Sequence, residues 1–262
     1  MSSFADRLPE GQQRVFGDAI RRLEKTRVQT DPFPHLVLDD VMDDFFLRLT
    51  DRFWPDPSLM GVTNYFPRGE YPVRKLHDDA EGDEKRLWMI IRRFMIYLMQ
   101  ISRQKLSRYF HEKHRALFGV DWRRKLKGMP YLEGDVMIAH YTGAINLPIH
   151  VDHSRLLVNS FLYLDDGPGT TKDPIRGTML YKSQGFGWPT NDPIPKPLRE
   201  KYLTEAKEIK WKNNRYLSYL NGPYSFHSVP SHDLGEGRRR ILMCGTVLSP
   251  EMVKLQQAYG ER

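Results

Sequence analysis

The sequence lacks the cysteines that a disulfide-rich extracellular scaffold needs. Its 262 residues include one cysteine, Cys244. A single cysteine excludes an internal disulfide. Cys244 lies in the apolar run 241–248, which favours a buried structural thiol over a redox-active one.

A long uncharged apolar segment is also missing. The most apolar run, residues 87–101, is interrupted by Arg92 and Arg93. Because a membrane span needs about 18 or more apolar residues, we expect no membrane partner. Residues 1–22 lack the apolar centre of a signal peptide, so we expect a cytoplasmic protein.

Positive charge is concentrated in one region. Residues 84–125 contain 12 Lys and Arg against 3 Asp and Glu, a local charge of +9, whereas the whole chain carries +7. A basic helical region can meet nucleic acid or an anionic substrate. The region lacks the aromatic interleaving of an RNA-binding module, so a solvated helix face is the simpler interpretation.

The chain changes character near residue 130. Before it, we predict helices over 5–25, 42–53 and from 87 onward, where Leu87, Ile91, Phe94, Leu98 and Ile101 form an apolar stripe. A short strand is predicted over 33–39 and a loop over 54–83. After residue 130, strands are predicted over 135–141, 156–164, 177–181, 216–220 and 240–248. The proline-rich segment 165–211, with a helical piece near 198–206, is long for a connection and typical of a lid.

The segment INLPIHVDH, residues 145–153, contains the strongest chemical motif. His150 and Asp152 are two residues apart, so in a strand they would share a face. Two histidines and one carboxylate are the usual ligands of a non-haem Fe(II) site with open positions. We expect His227 to be the third ligand, although His232 is a rival five residues later, and His153 and His140 should face away.

The motifs around these residues occur in an ordered set. Tyr141 precedes His150 by 9 residues; then follow FLYLDD (161–166), GTMLYK (177–182), NRYLSYLNGPYSFHSV (214–229) and RRRILMCGTV (238–247). In this order the sequence resembles the 2-oxoglutarate/Fe(II)-dependent dioxygenases, specifically their prolyl-hydroxylase-like branch. The resemblance covers roughly residues 131–250.

The resemblance implies a role for each site residue. His150, Asp152 and His227 would hold Fe(II). Arg240 would anchor the distal carboxylate of 2-oxoglutarate, with Arg238 as the second choice and Arg239 facing the other way. Further residues implied to line the co-substrate pocket are Tyr163, Tyr141 and Asn159.

The sequence thus predicts a mainly β protein, a double-stranded β-helix (jelly-roll) core with a buttress of N-terminal α-helices. We expect one oxygenase domain over 1–262, mostly helical over 1–130, with the jelly-roll core over 131–250 and the lid-like insertion over 165–211. The resemblance implies an oxidoreductase that uses iron, 2-oxoglutarate and O2, with ascorbate as a reductant.

The presence of Asp152 favours hydroxylation, or another oxidation such as desaturation, because the related halogenases lack this carboxylate. The expected partner is a small-molecule or peptide substrate. The net positive charge of the chain favours an acidic substrate. Two alternatives remain at this point. One is a cupin-type metalloenzyme that does not use 2-oxoglutarate, and the other is a basic nucleic-acid-binding protein with a degenerate β core.

Overall fold

A computed structural model describes residues 6, 9–62, 68–165, 176–188 and 191–260. The helices are α1 Glu10–Lys25, α2 Asp44–Arg52, α3 Val73–Asp79, α4 Gly82–Leu106, α5 His111–Phe118, α6 Trp122–Lys125, α7 Lys196–Tyr202 and α8 Pro250–Gly260. The strands are β1 His35–Leu38, β2 Gly61–Val62, β3 Arg68–Pro72, β4 Tyr131–Glu133, β5 Met137–His150, β6 Leu156–Asp165, β7 Thr178–Ser183, β8 Leu203–Ile209, β9 Arg215–Leu220 and β10 His227–Leu248.

Two long antiparallel strands, β5 and β10, form the centre of the β structure. The carboxyl-terminal half of β10 pairs with β6, and the order continues through β9 to β1. The first residues of β10 pair instead with β7, which pairs with β8. Register shifts between His227 and Arg238 bend β10 from one layer into the other. This is the double-stranded β-helix expected from the sequence and its family resemblance.

The helix α4 covers the outer face of the larger layer. The five residues of its predicted stripe are buried, and they share one core cluster with Leu162, Leu242 and Tyr216 of the sheet. Full burial of a large apolar side chain contributes roughly 1.5–3 kcal/mol. The helical buttress therefore holds the larger layer, and leaves the inner face of the sheet free to line a cavity.

Three stretches differ from the sequence-based expectation. The predicted loop 54–83 contains β2, β3 and α3, and the segment after α7 continues as β8. Strand β3 reads Arg-Gly-Glu-Tyr-Pro, without an apolar alternation, and its strand form comes from pairing with β5. Strands β5 and β10 are also longer than predicted.

In the lid-like insertion, residues 166–175 and 189–190 lie outside the described residues. Within the described part of the chain, no helix has the length and apolar character to cross a membrane.

Candidate metal centre

The predicted ligands meet where β5 and β10 pair. His150 ends β5 and lies opposite His227, the first residue of β10. Asp152 Oδ1 is 3.6 Å from His150 Nε2 and 3.7 Å from His227 Nε2. One ligand atom from each of the three side chains lies within 4.8 Å of the others, and no second group of this kind occurs among the described residues.

The turn after β5, and not strand alternation, brings Asp152 to the histidines. The strand ends at His150, and Asn221 fixes the turn that follows. The Asn221 side chain accepts from the Asp152 backbone N–H and donates to the carbonyls of Asp152, His153 and Leu156. Asn221 is almost fully buried, so these bonds face little competition from water.

Each histidine is oriented through its second ring nitrogen. His150 Nδ1 lies 2.9 Å from the Pro148 carbonyl, and His227 Nδ1 lies 2.9 Å from the Ser225 carbonyl. A carbonyl only accepts, so each Nδ1 must carry the proton and donate. Both Nε2 atoms then have a free lone pair in the neutral imidazole, as a metal ligand requires.

The Asp152 carboxylate is held on its other oxygen. Tyr219 Oη donates to Asp152 Oδ2 at 2.7 Å, and Asn159 Nδ2 donates to the same oxygen at 3.0 Å. Tyr219 Oη also lies 3.0 Å from His227 Nε2. Oδ1 is therefore the oxygen that faces both histidines.

The charges of these groups are strongly coupled. Burial acts to raise the pKa of Asp152, but the attraction to His227 and the hydrogen bond to His150 outweigh it and lower that pKa well below its usual value. Burial acts to lower the pKa of His227, but Asp152 outweighs it and raises that pKa. A divalent cation bound by these groups would compete with a proton for His227 Nε2.

The triad opens into a cavity of about 800 Å³ on the inner face of the sheet. The wall of the same cavity also contains Arg239, Tyr163, Tyr141 and Thr178. Arg239 is 1% exposed, and its Nε and Nη1 atoms have no hydrogen-bond partner. Its guanidinium lies 4.1 Å from the centroid of the Trp211 ring, a cation–π contact. Among the described residues no carboxylate pairs with Arg239.

The prediction that Arg240 faces the cavity and Arg239 faces away from it is wrong. Arg239 lies opposite Tyr141 in the β5–β10 register, so both side chains face the cavity. Arg240 lies opposite His140 on the other face, where its Nη2 donates to Asp51 at 2.6 Å. Alternation puts neighbouring residues on opposite faces, but the register after the bulges decides which residue faces inward. The side chain of Arg238 lies outside the described residues.

The other predicted pocket residues lie in the cavity wall. The Tyr163 hydroxyl contacts the Thr178 hydroxyl, and Arg68 donates to the Tyr141 hydroxyl at 3.1 Å. Tyr141 is therefore flanked by Arg68 and Arg239. Asn159 also lines the cavity and reaches Asp152 directly.

The rival histidines lie apart from the triad. His140 faces the helical layer and accepts from the Trp54 indole at 3.3 Å. His232 is buried, with its Nδ1 2.8 Å from the Pro230 carbonyl. His153 does line the cavity, contrary to the expectation that it faces away, but its Nδ1 accepts from the Arg155 backbone N–H.

Tyr219, Asn221 and Trp211 were not identified from the sequence. Tyr219 and Asn221 belong to the quoted motif NRYLSYLNGPYSFHSV, so their proximity to His227 was visible. Their contacts with Asp152 depend on the pairing of β9 with β6, which the motif alone does not reveal.

Two kinds of ligand fit these residues. The two Nε2 atoms and Asp152 Oδ1 are a donor set for a divalent transition metal. A buried arginine without a counter-charge fits a carboxylate, because an unpaired buried charge is costly and a carboxylate accepts two parallel N–H bonds from guanidinium. A molecule with a carboxylate at one end and metal-binding oxygens at the other would satisfy both the arginine and the metal held by the ligand set.

Comparison with known proteins supports the fold. No protein-family model matches the chain, and no curated protein matches its sequence. The structure is similar to a prolyl hydroxylase from Trichoplax adhaerens, solved in complex with a peptide fragment of the oxygen degradation domain of hypoxia inducible factor. The identity is 13%, the match covers 95% of this chain and 97% of that chain, and the TM-score is 0.50. This similarity confirms the predicted jelly-roll fold.

Two further solved structures are similar to this chain at lower TM-scores. HygX from Streptomyces hygroscopicus, solved with nickel and 2-oxoglutarate bound, is 15% identical, with 93% of this chain and 88% of that chain covered and a TM-score of 0.45. A prolyl-4-hydroxylase from Pseudomonas putida is 11% identical, with 82% and 92% covered and a TM-score of 0.48.

Proposed function

We propose that this chain is a non-haem Fe(II)- and 2-oxoglutarate-dependent dioxygenase, a hydroxylase acting on an unactivated C–H bond. The observation that carries this proposal is the presence, in one cavity, of a His–Asp–His ligand set and a buried arginine without a counter-charge. His150, Asp152 and His227 would hold the iron. Arg239 would bind the distal carboxylate of 2-oxoglutarate, in place of Arg240.

Bound iron and 2-oxoglutarate would supply the activation of O2 and the oxidising power, with succinate and CO2 released. The protein's part is to bind, orient and exclude. Asp152 and the two histidines would hold the ion through three side chains, which would leave room on it for 2-oxoglutarate and O2. Tyr141 and Tyr163, which flank Arg239 in the cavity wall, shield the guanidinium from water.

The rest of the cavity wall suits a substrate that is oxidised at a C–H bond. Met137, Phe161, Met243 and Val247 line it with apolar surface, which can pack against the hydrocarbon part of a substrate and keep water away from it. We propose an amino-acid-, peptide- or natural-product-type substrate. The unpaired Arg239 supports the use of 2-oxoglutarate over a metalloenzyme with the same triad and no such co-substrate, because that enzyme would gain nothing from a buried cation there.

The test is the formation of succinate. Purified protein is incubated with Fe(II), ascorbate and 2-oxoglutarate, with and without a pool of candidate substrates, and succinate is quantified. We expect slow succinate formation without substrate, faster formation with the correct substrate, and none after chelation of the metal. A complete absence of succinate, together with no metal-dependent binding of 2-oxoglutarate, would refute the proposal.

A further inference from the structure

Strand β9 contributes no metal ligand, yet one of its side chains contacts two of them. Tyr219 is fully buried, and its hydroxyl lies 2.7 Å from Asp152 Oδ2 and 3.0 Å from His227 Nε2. Its neighbour across the β6–β9 register, Asn159, donates to the same Oδ2. Two donors therefore converge on one carboxylate oxygen.

Because of these donors, the two oxygens of Asp152 have different roles. Oδ2 accepts hydrogen bonds from Tyr219 and Asn159, whereas Oδ1 faces the two histidine Nε2 atoms at 3.6 and 3.7 Å. When a metal takes the lone pair of His227 Nε2, the Tyr219 hydroxyl is left with Oδ2 as its acceptor. A carboxylate with both lone pairs of one oxygen engaged has only the other oxygen available for the metal.

We propose that Tyr219 is a positioning residue that keeps Asp152 monodentate, so that the metal retains three open positions. A bidentate carboxylate would occupy one more position, leaving too few for a chelating co-substrate and O2. This inference rests on the proposed metal site. Strand β9, which supplies no ligand, would then help to set the coordination number of the metal.

The chain offers a matched pair of tyrosines on this strand. Tyr216 is also fully buried, but it faces the helical layer, where its hydroxyl is hydrogen-bonded to Ser102 and Ser160. Tyr219 packs edge-on against Phe33, and its ring lies 5.9 Å from that of Phe161. Phenylalanine would keep either ring in place and remove only the hydroxyl.

The experiment compares Tyr219→Phe with Tyr216→Phe. The dissociation constant for Co(II) is measured by calorimetry, and the visible absorption of the Co(II) protein reports its coordination. Loss of a partner of a metal ligand typically weakens metal binding by about 10- to 100-fold. We expect that loss and an altered spectrum for Tyr219→Phe, and neither for Tyr216→Phe. Equal dissociation constants and spectra for the two variants would overturn the proposal.

A second measurement reports the binding mode of the Asp152 carboxylate directly. Infrared difference spectra of the wild-type protein, with and without metal, separate monodentate from bidentate carboxylates by the splitting of their stretching bands. A wide splitting for the band lost in Asp152→Asn, narrowed in Tyr219→Phe, supports the role of Tyr219, and a narrow bidentate splitting in the wild-type protein contradicts it. Wild-type protein that binds Co(II) but forms no succinate would refute the proposed function alone, since these comparisons concern only the metal.

Discussion

Two neighbouring arginines on β10 each lie near a tryptophan ring, but only one of them is paired with a carboxylate. Arg239 lies 4.1 Å from the Trp211 ring in the cavity, and Arg240 lies 5.1 Å from the Trp54 ring on the helical face. Both are almost fully buried. Arg240 has the carboxylate of Asp51 at 2.6 Å, whereas Arg239 has no carboxylate within the described part of the chain.

This difference separates a structural cation from a binding one. A buried charge is stable only when it is paired. Arg240 satisfies this requirement within the chain. Burial lowers the pKa of Arg239, although the phenols of Tyr163 and Tyr141 oppose the shift, and arginine does not lose its proton in proteins. The missing negative charge must come from a ligand, and the metal triad in the same cavity indicates where the rest of that ligand lies.

Loss of the metal should have the largest effect on ligand binding. Asp152→Ala takes away the only negative ligand of the triad, so we expect metal affinity to fall by more than about 100-fold, beyond the loss typical of an outer partner. Binding of 2-oxoglutarate should be lost with it, although Arg239 is untouched. Both are measured by calorimetry. Asp135→Ala, an exposed carboxylate of the same cavity wall, is the control; an equal loss there would contradict the ligand assignment.

Exchanging each arginine for methionine tests the comparison itself. Arg239→Met should weaken 2-oxoglutarate binding by about 2–5 kcal/mol, the usual cost of truncating one partner of a buried charge pair. This corresponds to roughly 30-fold to a few thousand-fold in Kd. Metal affinity should not change.

Arg240→Met serves as the matched control. It removes an ion pair with an exposed carboxylate, which contributes about 0–1 kcal/mol to stability, and should leave the Kd for 2-oxoglutarate unchanged. If Arg240→Met weakened binding and Arg239→Met did not, the first sequence-based assignment would be restored.

The two tryptophans provide a finer test. Trp211→Leu removes the ring beneath Arg239, a contact of about 0.5–2 kcal/mol. We therefore expect a rise of roughly 2- to 30-fold in the Kd for 2-oxoglutarate, with Trp211→Phe closer to wild type. Trp54→Leu makes the same change beneath Arg240 and should alter only the melting temperature. Equal effects of the two leucine variants on the Kd would show that the ring contact has no part in binding.

Lys113 is a third buried cation, and it differs from the two arginines because a lysine can lose its proton when it is buried. It is 4% exposed, donates to the Leu156 carbonyl, and burial lowers its pKa to about 7. Below that pH both folded and unfolded chains carry the proton. Between it and the unfolded value of 10.5 only the unfolded chain does, so the free energy of unfolding rises with pH.

The effect of Lys113→Met should be confined to this pH dependence. Urea unfolding of wild type should show about 1 kcal/mol of added stability between pH 7 and pH 8 from this group, and the variant should lack that increment. Ligand affinity should be unaffected. A wild type and variant with parallel stability profiles over this range would mean that Lys113 keeps its proton in the folded chain.

The sequence was most informative where short-range pattern and structure coincide. The stripe of α4 follows from helical periodicity, and the triad residues follow from spacing together with the order of the strands around them. His227 was preferred to His232, and the structure places it beside His150 and Asp152.

The contacts that depend on strand register were not accessible in this way. Alternation predicts that Arg239 and Arg240 face opposite sides, but the bulges between Asp233 and Arg238 determine which of them faces the cavity. Tyr219 reaches Asp152 across 67 residues of sequence, and Trp211 reaches Arg239 from the end of the lid-like insertion. Such contacts are fixed by tertiary pairing, and a local pattern does not encode them.

The most direct test of the account is calorimetric titration of 2-oxoglutarate into the protein without oxygen, with and without Fe(II). We expect binding that requires the metal and is lost in Arg239→Met but retained in Arg240→Met. Binding that is indifferent to the metal or to Arg239, or no binding by the Fe(II)-loaded wild type, would contradict it.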